Sequence, residues 1–136
     1  MQKYKIAIVG SGIIGMTLAL QLSAIKHINI TLFGKKPKYS QYKTTAILAT
    51  SFDIYKRLLD LNESHPQISK LKKFKIIDEL KIKKKVIDFD SAEIELDSFA
   101  YNIRDNFLAD KLYNEIKNNT SIIFKNEFIE GLEDNL

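Results

Sequence analysis

Three glycines set between two apolar segments, Gly10-Ser11-Gly12-Ile13-Ile14-Gly15, constrain this chain more than any other feature. Before them, Lys5–Val9 is a short β-branched run ending at glycine, the pattern of a buried parallel strand. After them, residues 13–25 have helical composition. Ile14, Leu18, Leu22 and Ile25 share one face there, and Ala19 and Leu20 extend the apolar surface. Asn29–Phe33 is the next strand, at the distance a βαβ crossover requires. In such a unit the first glycine permits a tight turn, the second lets backbone approach a pyrophosphate, and the third allows close helix–strand packing. The helix N-terminus adds N–H groups and partial positive charge. The expectation is a dinucleotide site with Gly10, Ser11, Gly12, Ile13, Ile14 and Gly15 at the pyrophosphate.

One part of that fingerprint is missing. An acidic residue normally ends the second strand and accepts hydrogen bonds from the ribose hydroxyls. Here the sequence reads Thr31-Leu32-Phe33-Gly34-Lys35-Lys36. Either Lys35 or Lys36 faces a 2′-phosphate, which means NADP, or the ribose contact is lost. On the second reading, Gly34→Glu should restore it and tighten FAD binding.

Composition narrows the classes. The 136 residues, 45% hydrophobic and 28% charged, suit a soluble globular domain with a real core. The absence of cysteine excludes disulfides, thiolate metal sites and a cysteine nucleophile. His27 and His65 are far apart with no carboxylate at ligand spacing, so no metal site is expected. The net charge is +4, but 19 of the 21 basic residues are Lys, leaving only the guanidinium groups of Arg57 and Arg104. With so little Arg and no aromatic platform, the lysines of 70–85 read as a solvated face, and no nucleic-acid partner is expected. The uncharged run 6–25 is interrupted by the glycines and lacks a small-x-small cleavage site, so it reads as a buried strand and helix, not an export signal or anchor.

Further along, Gly34, Pro37 and nearby lysines form a loop. Ser51 is predicted to cap a helix to about Leu61, with Asp53 in its first turn and Ile54, Leu58 and Leu61 buried. Phe74–Ile77, residues 81–89 and the strictly alternating Glu93-Ile94-Glu95-Leu96-Asp97 predict antiparallel strands with one wet face. Asp105 or Asn106 opens a helix burying Leu108, Leu112 and Ile116 and ending at Asn118-Asn119. Ser121–Lys125 is a strand suited to the first sheet, and residues 128–136 read as the start of another. The predicted fold class is α/β: a three-layer, Rossmann-like FAD/NAD(P)-binding βαβ core with an antiparallel sheet inserted, and truncated. Its predicted domains are 1–69 with 100–136 for the dinucleotide, and 70–99 for the start of the substrate-domain sheet.

Two further segments carry a family resemblance. Lys43-Thr44-Thr45-Ala46-Ile47-Leu48-Ala49-Thr50-Ser51, followed by Leu58-Leu59-Asp60-Leu61, resembles the Arg-Thr/Ser-x-Ala-Leu segment of flavin-dependent aromatic hydroxylases, the para-hydroxybenzoate-hydroxylase-like group. Tyr101-Asn102-Ile103-Arg104-Asp105-Asn106-Phe107-Leu108 resembles the Tyr-x-Val-Glu-Asn-x-x-Leu stretch of its ubiquinone-biosynthesis branch. With the glycine motif these matches are collinear over nearly the whole chain.

The resemblance implies FAD as cofactor, NAD(P)H as reductant and a polyprenylated phenol as aromatic substrate. It places Lys43 where the family has an arginine near the flavin cofactor, and Asp105 where it has an asparagine. Arg104 stands in place of the preceding glutamate. It also implies a cytoplasmic protein, with room for peripheral association with a membrane or a biosynthetic complex. Family members run to several hundred residues and carry a later Gly-Asp motif with no counterpart before Leu136. The expectation is therefore an N-terminal portion, incomplete for catalysis by itself, with no catalytic residue assigned. A free-standing NAD(P)-binding module or non-catalytic subunit is the alternative.

Overall fold

The computed structural model describes residues 4–78 and 85–131. It divides into two compact units, one from the described residues of Met1–Lys43 and Asp105–Leu136, the other Thr44–Arg104.

The first unit is built on the glycine crossover. Strand β1 (Tyr4–Val9) leads through the glycine turn into helix α1 (Ile13–Ser23), which returns to β2 (Ile28–Phe33). Helix α3 (Asp105–Asn118) and strand β8 (Ile122–Lys125) follow the inserted unit. The three strands are parallel in the order β1-β2-β8, with Ile6 opposite Ile30 and Ile30 opposite Ile122. Parallel pairing brings the carboxyl ends of these strands to one edge, where open α/β sheets bind ligands. That edge is tied together: the Gly10 N–H donates to the Phe33 carbonyl (2.8 Å), and the Gly34 N–H donates to the Lys125 carbonyl (3.0 Å).

Burial alternates along the strands as the pleat demands. Ile8, Ile30, Leu32 and Ile122 are buried, whereas Val9 and Ile123 are 60% and 57% exposed. Helices α1 and α3 pack against each other as well as against strands, so the described part is two layers rather than the expected three. α3 buries Leu108, Leu112 and Ile116 as its periodicity predicts. α1 does not present its expected face. Met16, Thr17, Ala19 and Leu20 are buried, while Ile14 and Leu18 are 83% and 43% exposed. Gly15 sets this rotation, because the face carrying the residue without a Cβ is the one that can approach the strand.

The second unit contains β3 (Thr44–Leu48), α2 (Ala49–Leu59), β4 (Ile68–Leu71), β5 (Lys73–Asp78), β6 (Lys85–Asp90) and β7 (Ala100–Arg104). β7 is the centre of an antiparallel sheet ordered β3-β7-β4, and β5 pairs with β6 as a two-stranded ribbon. Because β3 and β4 both pair with β7, residues 44–69 and 100–104 belong to this unit. The expected boundaries at 69/70 and 99/100 thus lie at 43/44 and 104/105. Helix α2 begins two residues before Ser51. Its first N–H is satisfied by the Phe99 carbonyl (3.0 Å), and no side chain caps it. Its buried residues are Phe52, Tyr55 and Leu59, with the Phe52 ring stacked on Tyr101 at 4.1 Å.

The alternating stretch Glu93–Asp97 is not a strand. Ser91–Ile94 is a 3-10 turn in which the Asp90 carboxylate accepts from the Ala92 N–H (3.1 Å), and Glu95 closes it at φ 57°. A local side-chain cap outcompetes the period-two pattern there. Residues 128–131 form no strand; 81–84 and 132–136 lie outside the described residues.

An ion network joins α2 and β4 to two loops of this unit. Glu63 lies 2.6 Å from Lys56 and 3.2 Å from Lys70, and Lys70 also pairs with Asp97. Hydrogen bonds from Lys56 first, then Lys70 and Tyr101, pull the Glu63 carboxyl down to about 2. Unfolded, it protonates near the ordinary glutamate value of about 4.3. Its contribution to stability is complete above that value and is lost as pH falls through about 2. Asp97 and Asp90, also lowered, act in the same direction. Urea unfolding midpoints should therefore drop between pH 5 and pH 2, and Glu63→Gln should flatten that slope. An unchanged slope in the variant would show that the network is not coupled to folding.

Candidate functional site

The three glycines have different reasons to be glycine. Gly10 sits at φ 111°, a backbone angle that side chains rarely adopt, yet a Cβ there would meet nothing within 4 Å. Gly15 has no such angle, but its Cβ would lie 1.8 Å from the Gly10 carbonyl oxygen. Gly12 has neither constraint. Its backbone is extended (φ −71°, ψ −179°), and its Cβ would meet only the Tyr39 hydroxyl at 3.6 Å, an ordinary contact. The fold itself does not require glycine at 12.

Gly12 is also the N-cap of α1, and no side chain caps the helix or places an acid in its first turn. The opening N–H groups of α1, those of Ile13, Ile14 and Gly15, are the ones a helix cannot satisfy internally. The Met16 N–H makes the first intrahelical bond, to the Gly12 carbonyl (3.0 Å). Backbone donors and the positive end of a helix dipole thus converge beside a residue with no side chain, an arrangement suited to a phosphate.

Ser11 is 5% exposed and works inward. Its hydroxyl donates to the Lys35 carbonyl, locking the glycine turn to the segment after β2. This packing explains the missing acid. Gly34 is at φ 144°, and a Cβ on it would come within 2.4 Å of Ser11 Oγ and 2.8 Å of the Ser11 backbone nitrogen. The ribose-binding carboxylate has no room at this position. Gly34→Glu is therefore expected to lower stability by about 2–4 kcal/mol, a cost that stands against any gain in FAD binding. Urea unfolding of the two proteins measures this; equal stability would refute the Ser11 contact.

Nor are the lysines that follow free for a 2′-phosphate. Lys36 pairs with Asp110 at 2.9 Å and lies over the Tyr113 ring, and Lys35 lies over the Phe128 ring. Lys43 is exposed at the end of the same segment; its carbonyl accepts from the Asp105 N–H (3.0 Å). The two positions singled out by resemblance thus meet through the backbone at the start of α3. Asp105 is 7% exposed and is itself the first helical residue.

Near them, Lys36, Pro37, Lys38, Tyr39, Asn106 and Asp110 line a cavity of about 280 Å³, and Asn106 Oδ1 is buried without a hydrogen-bond partner among the described residues. Sequence reasoning missed Tyr39 and read Asn106 only as a possible helix opener, because their place in this cavity depends on contacts distant in the chain. A larger cleft, about 660 Å³, lies in the second unit, but Lys56 and Lys70 in its wall are already ion-paired to Glu63 between them. Among the described residues no group of His, Asp and Glu is placed to hold a metal, and no helix is long and apolar enough to cross a membrane.

No family model and no curated protein matches this sequence. Solved structures do. p-Nitrophenol 4-monooxygenase PnpA from Pseudomonas putida DLL-E4 superposes with a TM-score of 0.68 at 14% identity, over 99% of this chain and 35% of that one. A tryptophan halogenase from Shewanella frigidimarina NCIMB 400 gives 0.69 at 12% identity, over 98% and 38%. CtdE, solved in complex with FAD, gives 0.53 at 20% identity, over 90% and 30%. This chain spans about a third of their length. Its fold, a parallel βαβ sheet with an antiparallel sheet inserted, is that of the matching third of these monooxygenase and halogenase structures.

Proposed function

We propose that this chain is the FAD-binding portion of an aromatic-ring hydroxylase of ubiquinone biosynthesis, incomplete for catalysis by itself. The observation that carries the cofactor reading is Gly12, a glycine the fold does not need, at an uncapped helix N-terminus on the ligand-binding edge of a parallel sheet. In this reading Gly10 shapes the turn, Ser11 fixes it to the Lys35 carbonyl, and the opening N–H groups at Ile13, Ile14 and Gly15 receive the pyrophosphate. Lys43 adds positive charge at the end of the neighbouring segment. Bound FAD would supply the oxygen chemistry, and NAD(P)H would reduce it.

FAD is favoured over NADP because Lys36, opposed by Asp110, is not a free receptor for a 2′-phosphate. The FAD complex of CtdE supports the same choice. The ubiquinone branch rests on the 101–108 segment alone, and with it the polyprenylated phenol as substrate, a cytoplasmic location and peripheral association with a membrane or biosynthetic complex. Incompleteness is supported by the exposure of Val9 and Ile123 on a sheet face that parallel sheets normally cover. Equilibrium titration of the chain with FAD, ADP and NADPH tests the proposal. FAD and ADP should bind, and NADPH more weakly; binding of NADPH alone would replace this reading with that of an NAD(P) module.

A further inference from the structure

We infer that Tyr39 is the phosphate-binding side chain of this site, its hydroxyl donating to the pyrophosphate that sits over Gly12. The inference rests on the dinucleotide reading above and adds a residue the glycine fingerprint does not contain. Among the described residues, the Tyr39 hydroxyl is the sole atom within 4 Å of the position a Gly12 Cβ would take, at 3.6 Å, apart from the glycine's own chain neighbours. Among the described residues this hydroxyl has no hydrogen-bond partner, although the side chain is half-buried.

The segment carrying Tyr39 has no regular structure but is pinned at both ends. Gly34 donates to the Lys125 carbonyl, Lys35 accepts from Ser11, Lys36 pairs with Asp110, and the Lys43 carbonyl accepts from Asp105. A phenol held in this way is positioned without being consumed by the protein. Its chemistry suits the ligand: a neutral donor hydrogen-bonds an anionic phosphate oxygen, which a carboxylate would repel. Tyr39 also lines the 280 Å³ cavity with Lys38 and the unpartnered Asn106 Oδ1, so it bridges the glycine turn and a polar recess on the same unit.

The test is calorimetric titration of the full chain and of Tyr39→Phe and Tyr39→Ala with FAD and with ADP, alongside urea unfolding of each. Tyr39→Phe keeps the ring and removes only the hydroxyl. It should weaken both ligands about tenfold, as loss of a charge-assisted hydrogen bond does, with no change in unfolding midpoint. Phe binding like the parent would overturn the inference, whether Ala weakens binding (a packing role for the ring) or not. Tighter binding by Phe would also overturn it, by showing that the phenol obstructs the site. If the parent binds neither FAD nor ADP, the dinucleotide reading fails and takes this inference with it, an outcome distinct from binding that ignores Tyr39.

Discussion

Gly12→Val is expected to abolish measurable FAD and ADP binding, at least a 100-fold loss or about 2.7 kcal/mol, while the fold survives. The backbone at Gly12 is extended, a conformation β-branched residues favour, and its Cβ would meet no protein atom closer than the Tyr39 hydroxyl at 3.6 Å. Replacing an N-cap glycine should cost about 1 kcal/mol at most. The valine methyls, however, project into the space where phosphate oxygens would accept from the α1 N–H groups. Titration and urea unfolding of the same samples separate the two effects. A variant that binds FAD like the parent removes the glycine turn from the site; one that fails to fold refutes the claim that the protein does not need this glycine.

The first unit was legible because its pattern is local. A β-branched run, three glycines and an apolar helix within 33 residues leave few alternatives, and Ser121–Lys125 joins the sheet as its composition suggests. The second unit was read less well because its sheet is assembled from distant segments. Thr44–Leu48 and Ala100–Arg104 carry Thr, Asn and Arg among their apolar residues, and they become strands by pairing across more than fifty residues. Nothing in either segment alone announces that partner. At Glu93–Asp97 the error ran the other way: the alternation was present, but Asp90 offered the backbone a nearer acceptor.

At the site, the turn at Gly10 and the close packing at Gly15 follow the fingerprint, yet the contact between Ser11 and Gly34 was not expected from it. Those residues are 23 positions apart, and only the register of β1 against β2, with Val9 opposite Phe33, brings them together. The missing acid then has a steric cause within the protein. Tyr39 escaped notice for a similar reason, since a tyrosine in a lysine-rich loop carries no periodic or spacing signal.

A small substitution three residues further on should have the opposite outcome, costing the fold itself. Gly15 lies inside α1, where alanine ordinarily gains about 1 kcal/mol over glycine by restricting the unfolded chain and favouring the helix. Propensity alone therefore predicts a more stable Gly15→Ala. Its Cβ, however, would lie 1.8 Å from the Gly10 carbonyl oxygen and 3.0 Å from the carbonyl carbon, both backbone atoms with no rotamer to escape into. Relief requires α1 to move away from β1 by more than 1 Å on the usual van der Waals spacing, which would strip Met16, Ala19 and Leu20 of their contacts. A loss of more than about 3 kcal/mol follows, a large share of a domain's stability. Urea unfolding of the parent, Gly12→Ala and Gly15→Ala decides the matter. Gly12→Ala should unfold close to the parent. A Gly15→Ala variant as stable as the parent, or more so, would mean that α1 and the glycine turn do not approach this closely, and the geometry assigned to the pyrophosphate site would fall with that contact.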